Sequence, residues 1–415
     1  MGANAILRAA LLVSAALGLS LSVAVVTPAQ DVGADVGGAG IFRAKNPETK
    51  KKGPGTTSTK PSATSRPGTR PSGAASARVA ERVEDLLDKG NQARDARNFA
   101  GAEDSYNEVL KLKPRDSRAA YGLGNIYSDQ QRWDDAEAAY RNSVAWAPKD
   151  ADAHIALSVV LVQPRVDGDN ARRFADAETF ARRSVQLDPK NAVGWDRLGV
   201  ALQARGVSNS EVEHSYRRAI ELDPQFAVAY AHLARMLNRA NRGAEAAPLY
   251  EKASELAKDP PTLNLIAESL QAEQLWQQSE PVLKRALDLD ARNPTSLLLM
   301  GRLFVVYRRY QEAEPFLKSA TEVSSRAFQP FLLLGRAYLG MDRLNDAEAT
   351  YERASAFAGE GEKKQLAGSF GFEGVGDGYL KMKQKDKAAR AFQRAVELDP
   401  ANNSAAQKLA RTRAN

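Results

Sequence analysis

Small and bulky apolar residues recur along this chain at a fixed spacing of about 34 residues, and the register holds nine times from Val83 onward. Units start at Val83, Ser117, Ala151, Ala192, Ala227, Pro260, Pro294, Phe328 and Ser369. The eighth position of each unit is small: Gly90, Gly124, Ser158, Gly199, Ala234, Ala267, Gly301, Gly335 and Gly376. So is the twentieth in most units, as Ala102, Ala136 and Ala313 show, whereas the twenty-fourth is mostly bulky, as in Tyr106, Tyr140, Tyr216, Tyr351 and Phe392. The ordered part is rich in Ala, Leu, Glu and Arg, and Val/Ile runs are scarce beyond residue 26, so all-helical structure is expected. Small residues belong where the two helices of a unit cross, because a larger side chain would hold their backbones apart; the bulky residue fills the space between a unit and its neighbour.

Prolines punctuate the pattern at Pro114, Pro148, Pro189, Pro224 and Pro400, in turns such as Asp-Pro-Lys-Asn, where proline stops the preceding helix. In residues 117–150, Leu123-Gly124, Tyr127, Ala136, Tyr140 and Pro148 fall at the spacing W-x2-L-G-x2-Y, A-x3-F, P. On these residues the chain resembles the tetratricopeptide-repeat (TPR) family over residues 83–402. The resemblance implies an all-α, right-handed superhelix of antiparallel helix pairs whose first helices line a concave groove, and Asn403–Arg413 reads as the polar capping helix that such an array requires.

In that family, positions 2, 5, 9, 12 and 13 of each first helix face the groove. Carried over residue by residue, they give Asn91, Tyr121, Asn125, Arg235, Asn238, Asn264, Arg302 and Arg336 as candidate peptide-binding residues, with Arg239 beside Asn238. Asparagines mark the first units and arginines units five, seven and eight. Amides suit a peptide backbone and guanidinium forks suit carboxylates, so an extended, partly acidic segment is the expected ligand. Tyr121, Ile155, Val159, Leu298, Val305 and Leu332 add apolar area. The family's carboxylate-clamp set is missing, since unit one has Leu87 and unit two Gly122 where it needs lysine and asparagine.

Other chemistry finds little support. The chain has no cysteine and three histidines, His154, His214 and His232, so no thiol chemistry, metal site or cofactor is expected. The lengthened turn of unit three, Gln163–Asn170, lacks the acidic ligands of a calcium loop, and the glycines at 371, 374, 376 and 378 lack the strand and Gly-Lys-Ser/Thr of a phosphate loop. Those glycines are expected inside the first helix of unit nine, weakening it, with a hinge at the extra residues 362–368. Pro248, Pro281 and Pro315 are expected in the first turn of their helices, where they cost little. No catalytic triad, metal cluster or nucleotide loop is present in the sequence, and an enzyme is not expected.

Charge is unevenly placed. The chain carries a formal +7, yet residues 31–80 hold nine Lys/Arg against three acids, and from residue 81 onward 48 bases meet 48 acids. A neutral array argues against a nucleic-acid partner. Residues 30–80, rich in Gly, Pro, Ser, Thr and Lys/Arg, read as a disordered basic tether, with envelope-polymer or polyanion binding through residues 43–78 as an alternative activity. Ahead of them, the apolar run Ala9–Val26 followed by Thr27-Pro28-Ala29 reads as a signal peptide cut before Gln30 or an anchor retained in the membrane. Either places the array outside the cytoplasm, in membrane or cell-wall proximity. The sequence thus points to a scaffold that binds a protein or peptide.

Overall fold

A computed structural model describes residues 45–49, 72–163 and 169–414. The leader, most of the basic tether and the centre of the unit-three turn lie outside the described residues. Helices pair antiparallel in chain order: α1 (Ser72–Asp95) with α2 (Phe99–Leu112), α3 (Ser117–Asp129) with α4 (Trp133–Trp146), and α5 (Ala151–Leu161) with α6 (Asn170–Leu187). Next come α7 (Ala192–Ala204) with α8 (Asn209–Leu222), α9 (Ala227–Arg239) with α10 (Gly243–Leu256), and α11 (Pro260–Ala272) with α12 (Trp276–Leu289). Then α13 (Pro294–Val306) pairs with α14 (Tyr310–Val323) and α15 (Phe328–Gly340) with α16 (Leu344–Ser355). After an inserted helix α17 (Glu360–Ala367), α18 (Phe372–Lys381) pairs with α19 (Lys385–Leu398), and α20 (Asn403–Ala414) caps the array. The architecture is the all-α solenoid the repeat predicts, and seven of the nine unit starts coincide with the first residue of a helix.

The turns explain that agreement. Proline ends one helix, and an Asp or Asn close by starts the next by accepting from backbone N–H groups of its first turn. Asp116 accepts from the Arg118 amide at 3.0 Å, Asp150 from Ala153 at 3.2 Å and Asn191 from Val193 at 3.0 Å; Asn293 caps likewise, accepting from Ser296 at 3.1 Å, with Pro294 as the first residue of its helix. Within units, the first helix closes with a residue in the left-handed region at position 15: Arg97, Gln131, Gly206, Asn241, Gln274, Arg308, Asp342 and Lys383, with φ between 57° and 71°. The following N–H reaches back five residues, as from Arg132 to Tyr127 O (2.8 Å) and from Leu275 to Leu270 O (2.8 Å), the bond that marks a Schellman ending.

The small position 8 and the bulky position 24 turn out to be one contact. A Cβ on Gly124 would lie 2.5 Å from the Tyr140 ring, on Gly199 2.5 Å from Tyr216, and on Gly376 2.5 Å from Phe392. The ring of the second helix therefore lies on the bare backbone of the first. Position 20 packs as expected, with Ala102, Ala136, Ala313 and Ala388 wholly buried.

Four expectations need correction. Helix α1 starts at Ser72, inside the expected tether, and residues 45–49 lie against the array. Gly371 precedes α18 as its N-cap, outside the helix. The extra residues before unit nine form α17, whose Leu366 and Ala367 are wholly buried and whose Ala367 carbonyl accepts from Asn402 at 3.0 Å, so this junction is packed and no hinge is seen. Pro248, Pro281 and Pro315 are each the sixth residue of their helix, one turn deeper than expected, where each removes an intrahelical N–H.

Candidate peptide-binding groove

The groove begins with two amides fixed from behind. In unit one, the Tyr106 hydroxyl donates to Asn91 Oδ1 at 2.8 Å; in unit two, Tyr140 does the same to Asn125 Oδ1 at 2.8 Å. With each carbonyl oxygen engaged by its own unit, the amide nitrogens face the groove as donors. There Asn91 Nδ2 donates to the Pro47 carbonyl at 3.0 Å and Asn125 Nδ2 to the Lys45 carbonyl at 2.9 Å. The chain's own segment Lys45–Thr49 thus crosses units one and two.

Two residues that the sequence reading passed over complete this end. Arg94, at position 12 and 1% exposed, is held by Asp129 through Nε and Nη2 at 2.8 and 3.1 Å, and its Nη1 donates to Asn46 Oδ1 at 3.1 Å. The Asn46 amide donates in turn to Asp95 Oδ2 at 3.0 Å. Arg118, at position 2, pairs with Glu84 and Asp116 and donates to the Glu48 carbonyl at 3.2 Å. Burial pushes the Asp116 carboxyl up, but Arg118 and Lys113 more than offset this and hold it below its usual value. The positions themselves were the signal: 2 and 12, like 9, are groove positions in the family the repeat resembles, yet Arg118 and Arg94 were not carried over.

Farther along, several candidate residues are engaged by the next unit. Arg235 is 3% exposed with Glu273 at 4.0 Å, and Glu273 also accepts from Asn238 (3.0 Å) and Arg239 (3.0 Å). Asn264 donates to Asn293 Oδ1 at 2.9 Å and accepts from the Ser296 hydroxyl at 2.7 Å, which ties it to the start of α13. Tyr121 packs on Tyr140 with ring centroids 5.7 Å apart and, like Ile155, Val159 and Leu332, is buried, while Leu298 and Val305 remain half-buried.

Arg302 and Arg336 differ. Arg302 donates to Gln271 Oε1 at 2.8 Å and lies 6.0 Å from the Trp276 ring, and Arg336 leaves its buried Nε without a hydrogen-bond partner. Burial lowers the pKa of both guanidinium groups, opposed by the charge of Glu268 for Arg302 and by Tyr351 for Arg336. Among the described residues no carboxylate forms an ion pair with either. At the far end, Asp377 is occupied by Lys408 of α20 at 2.7 Å. No group of three or more potential ligands gathers as a metal site among the described residues, and no described helix is long and apolar enough to cross a membrane.

Comparison with known proteins agrees with this architecture. Family models described as tetratricopeptide repeat match residues 87–151, 126–192, 229–263 and 370–402. Among curated proteins, the chain is 32% identical over 176 residues to the cellulose synthase operon protein C of Xanthomonas axonopodis pv. citri (strain 306), a match covering 42% of this chain and 12% of that protein. It is 28% identical over 207 residues to the protein of the same name from Pseudomonas fluorescens (strain SBW25), covering 48% of this chain and 16% of the relative. The chain therefore spans less than a fifth of the length of either. Similar solved structures include MamA (23% identity, 40% of this chain and 93% of that one, TM-score 0.35). They also include a thermophilic TPR protein of Thermus thermophilus (22%, 46% and 99%, TM-score 0.40) and YrrB, described as a TPR protein with an unusual peptide-binding site (18%, 47% and 97%, TM-score 0.38). With the 34-residue register, the ring-on-glycine packing and the repeat matches in agreement, this chain is a member of the tetratricopeptide-repeat family.

Proposed function

We propose that the protein is a non-catalytic scaffold that holds an extended segment of a partner protein along its concave face. The observation that carries this reading is the pair of donors Asn91 and Asn125, fixed by tyrosines of their own units and bonded to main-chain carbonyls of the segment Lys45–Thr49 at 3.0 and 2.9 Å. Backbone capture of this kind accepts many sequences, and selectivity then falls to side-chain contacts farther along. Arg302 and Arg336, with no ion-paired carboxylate among the described residues, favour acidic residues in the partner. The test is selection from a random peptide library on the full chain and on its R302Q/R336Q variant. Acidic peptides are expected from the parent and not from the variant; identical selections from both would remove the groove from the account.

The working location of the array is proposed to be outside the cytoplasm, on the pattern of residues 1–29; a mature protein starting at Gln30, or one retained in the membrane fraction, is expected on intact-mass analysis, and a full-length cytosolic protein would contradict it. A second reading is envelope-polymer or polyanion tethering through residues 43–78, where nine Lys/Arg meet one acid. Substituting Lys50, Lys51, Lys52 and Lys60 by Gln would abolish retardation in gels containing an anionic polysaccharide if that reading holds, and unchanged retardation would dismiss it.

A further inference from the structure

The segment held by Asn91 and Asn125 belongs to the chain itself. We propose that Lys45–Thr49 is a built-in ligand of units one and two, and that an external extended peptide with the same asparagine-proline core binds there by displacing it. The proposal rests on the groove reading above and specifies the chemistry of one end of the groove.

Complementarity carries the argument. Pro47 is buried and has no backbone N–H, so in the groove it presents only a carbonyl, which Asn91 takes. Lys45 and Glu48 are exposed and contribute their carbonyls, to Asn125 and Arg118. Donors on the array thus meet three carbonyls within four residues. The Asn46 side chain is read on both faces, its oxygen by Arg94 at 3.1 Å and its nitrogen by Asp95 at 3.0 Å. A carboxylate there would face Asp95, and an apolar side chain would lose both bonds. Asn46-Pro47 is therefore the recognised core; Lys45 and Glu48 are bonded through their carbonyls, and the Lys45 charge also acts on Asp152.

Connectivity allows docking within one chain. Residues 50–71 separate the segment from α1, and an extended chain covers about 3.3–3.6 Å per residue, far more than the width of a helix pair. Covalent connection within one chain raises the effective concentration of such a segment, so that it competes with a free peptide.

Fluorescence anisotropy of a labelled synthetic peptide spanning Arg43–Lys51 tests this on the full chain. The N46A/P47A variant, whose own segment is disabled, is expected to bind the peptide at least tenfold more tightly than the parent. Equal affinity for the two, or no binding to the variant, would overturn the proposal. On the ligand side, the same peptide with N46A is expected to bind the disabled chain at least fivefold more weakly, and unchanged binding would count against recognition of the asparagine. N91D/N125D in the disabled chain keeps the acceptors for Tyr106 and Tyr140 and removes the donors, so binding should be lost while the melting curve is retained. Sedimentation should show a monomer over the same concentrations; a dimer dissociated by N46A/P47A would place the segment in a second copy and overturn docking in cis. Should acidic library peptides bind through Arg302 and Arg336 while the Arg43–Lys51 peptide fails, this inference falls and the groove reading stands.

Discussion

Tyr216 illustrates how single residues set the shape of a unit. Its ring, wholly buried, lies where a side chain on Gly199 would begin, and its hydroxyl donates to Gln203 Oε1 at 3.0 Å. An added methyl group has nowhere to go, because the ring is fixed at both ends. Overpacking of this kind costs about 1–3 kcal/mol, so Gly199→Ala is expected to lower the urea midpoint clearly, although alanine is the better helix former. Gly335→Ala, against Tyr351, should behave alike; an unchanged midpoint for both would show that the ring shifts freely. The same tyrosine position explains part of what could be read in advance at the groove. Position 9 is a groove position in the family the repeat resembles, so Asn91 and Asn125 were legible as candidates. The fate of Arg235, Asn238 and Asn264 was not, because Glu273, Asn293 and Ser296, which engage them, lie farther along the chain and reach them only through the superhelical packing.

Helix boundaries were legible for a local reason: proline stops a helix and a nearby Asp or Asn caps the next. The ending of the first helix was not legible. Residues of no common chemistry, from arginine to aspartate, occupy the left-handed position 15; Gly206, and less strongly Asn241 and Asp342, favour that conformation, whereas Arg97, Gln131, Gln274, Arg308 and Lys383 do not. Gln274 (φ 62°) is exposed and its side chain is not needed for the turn. Gln274→Gly is expected to stabilise unit six by about 0.5–1 kcal/mol, the relief of left-handed strain less the extra freedom of glycine in the unfolded chain. Gly206→Ala should destabilise unit four by a similar amount. Hydrogen exchange of α11 and α7 would report both; faster exchange in α11 of Gln274→Gly would show that the strain is negligible. Helix α17 escaped the sequence reading because it interrupts the repeat, and only its Leu366 and Ala367 reveal that it packs.

Across the whole molecule, buried polar knots join successive units. Asp196, wholly buried on α7, bonds to His232 of α9 at 2.8 Å and pairs with Arg197 at 3.2 Å. Burial pushes its carboxyl up, but His232 and Arg197 more than offset it and hold it below the usual range. Glu137, with Arg173 and Arg141, and Glu373, with Lys408, are lowered against burial in the same way. A carboxyl lowered on folding contributes stability that is complete above its unfolded pKa, about 4, and is lost as pH falls through its folded value. The melting temperature is therefore expected to hold near neutrality and to fall below about pH 4, with Asp152, whose carboxyl is raised by burial, acting weakly in the opposite sense. Asp196→Asn should melt lower at pH 7 and show a shallower acid limb; an acid limb as steep as that of the parent would show that this knot is not the sensitive one.

The docked segment also gives the molecule a mechanical polarity. Lys45, the residue of the segment nearest the N-terminus, is bonded to unit two through Asn125, whereas Pro47 is bonded to unit one through Asn91. A pull applied from the N-terminal side and directed away from the array would load the Asn125 bond first, so that the segment leaves one carbonyl at a time, with far less force than a pull along its length. Tension along the N-terminal region would thus open the front of the groove without unfolding any helix of the array.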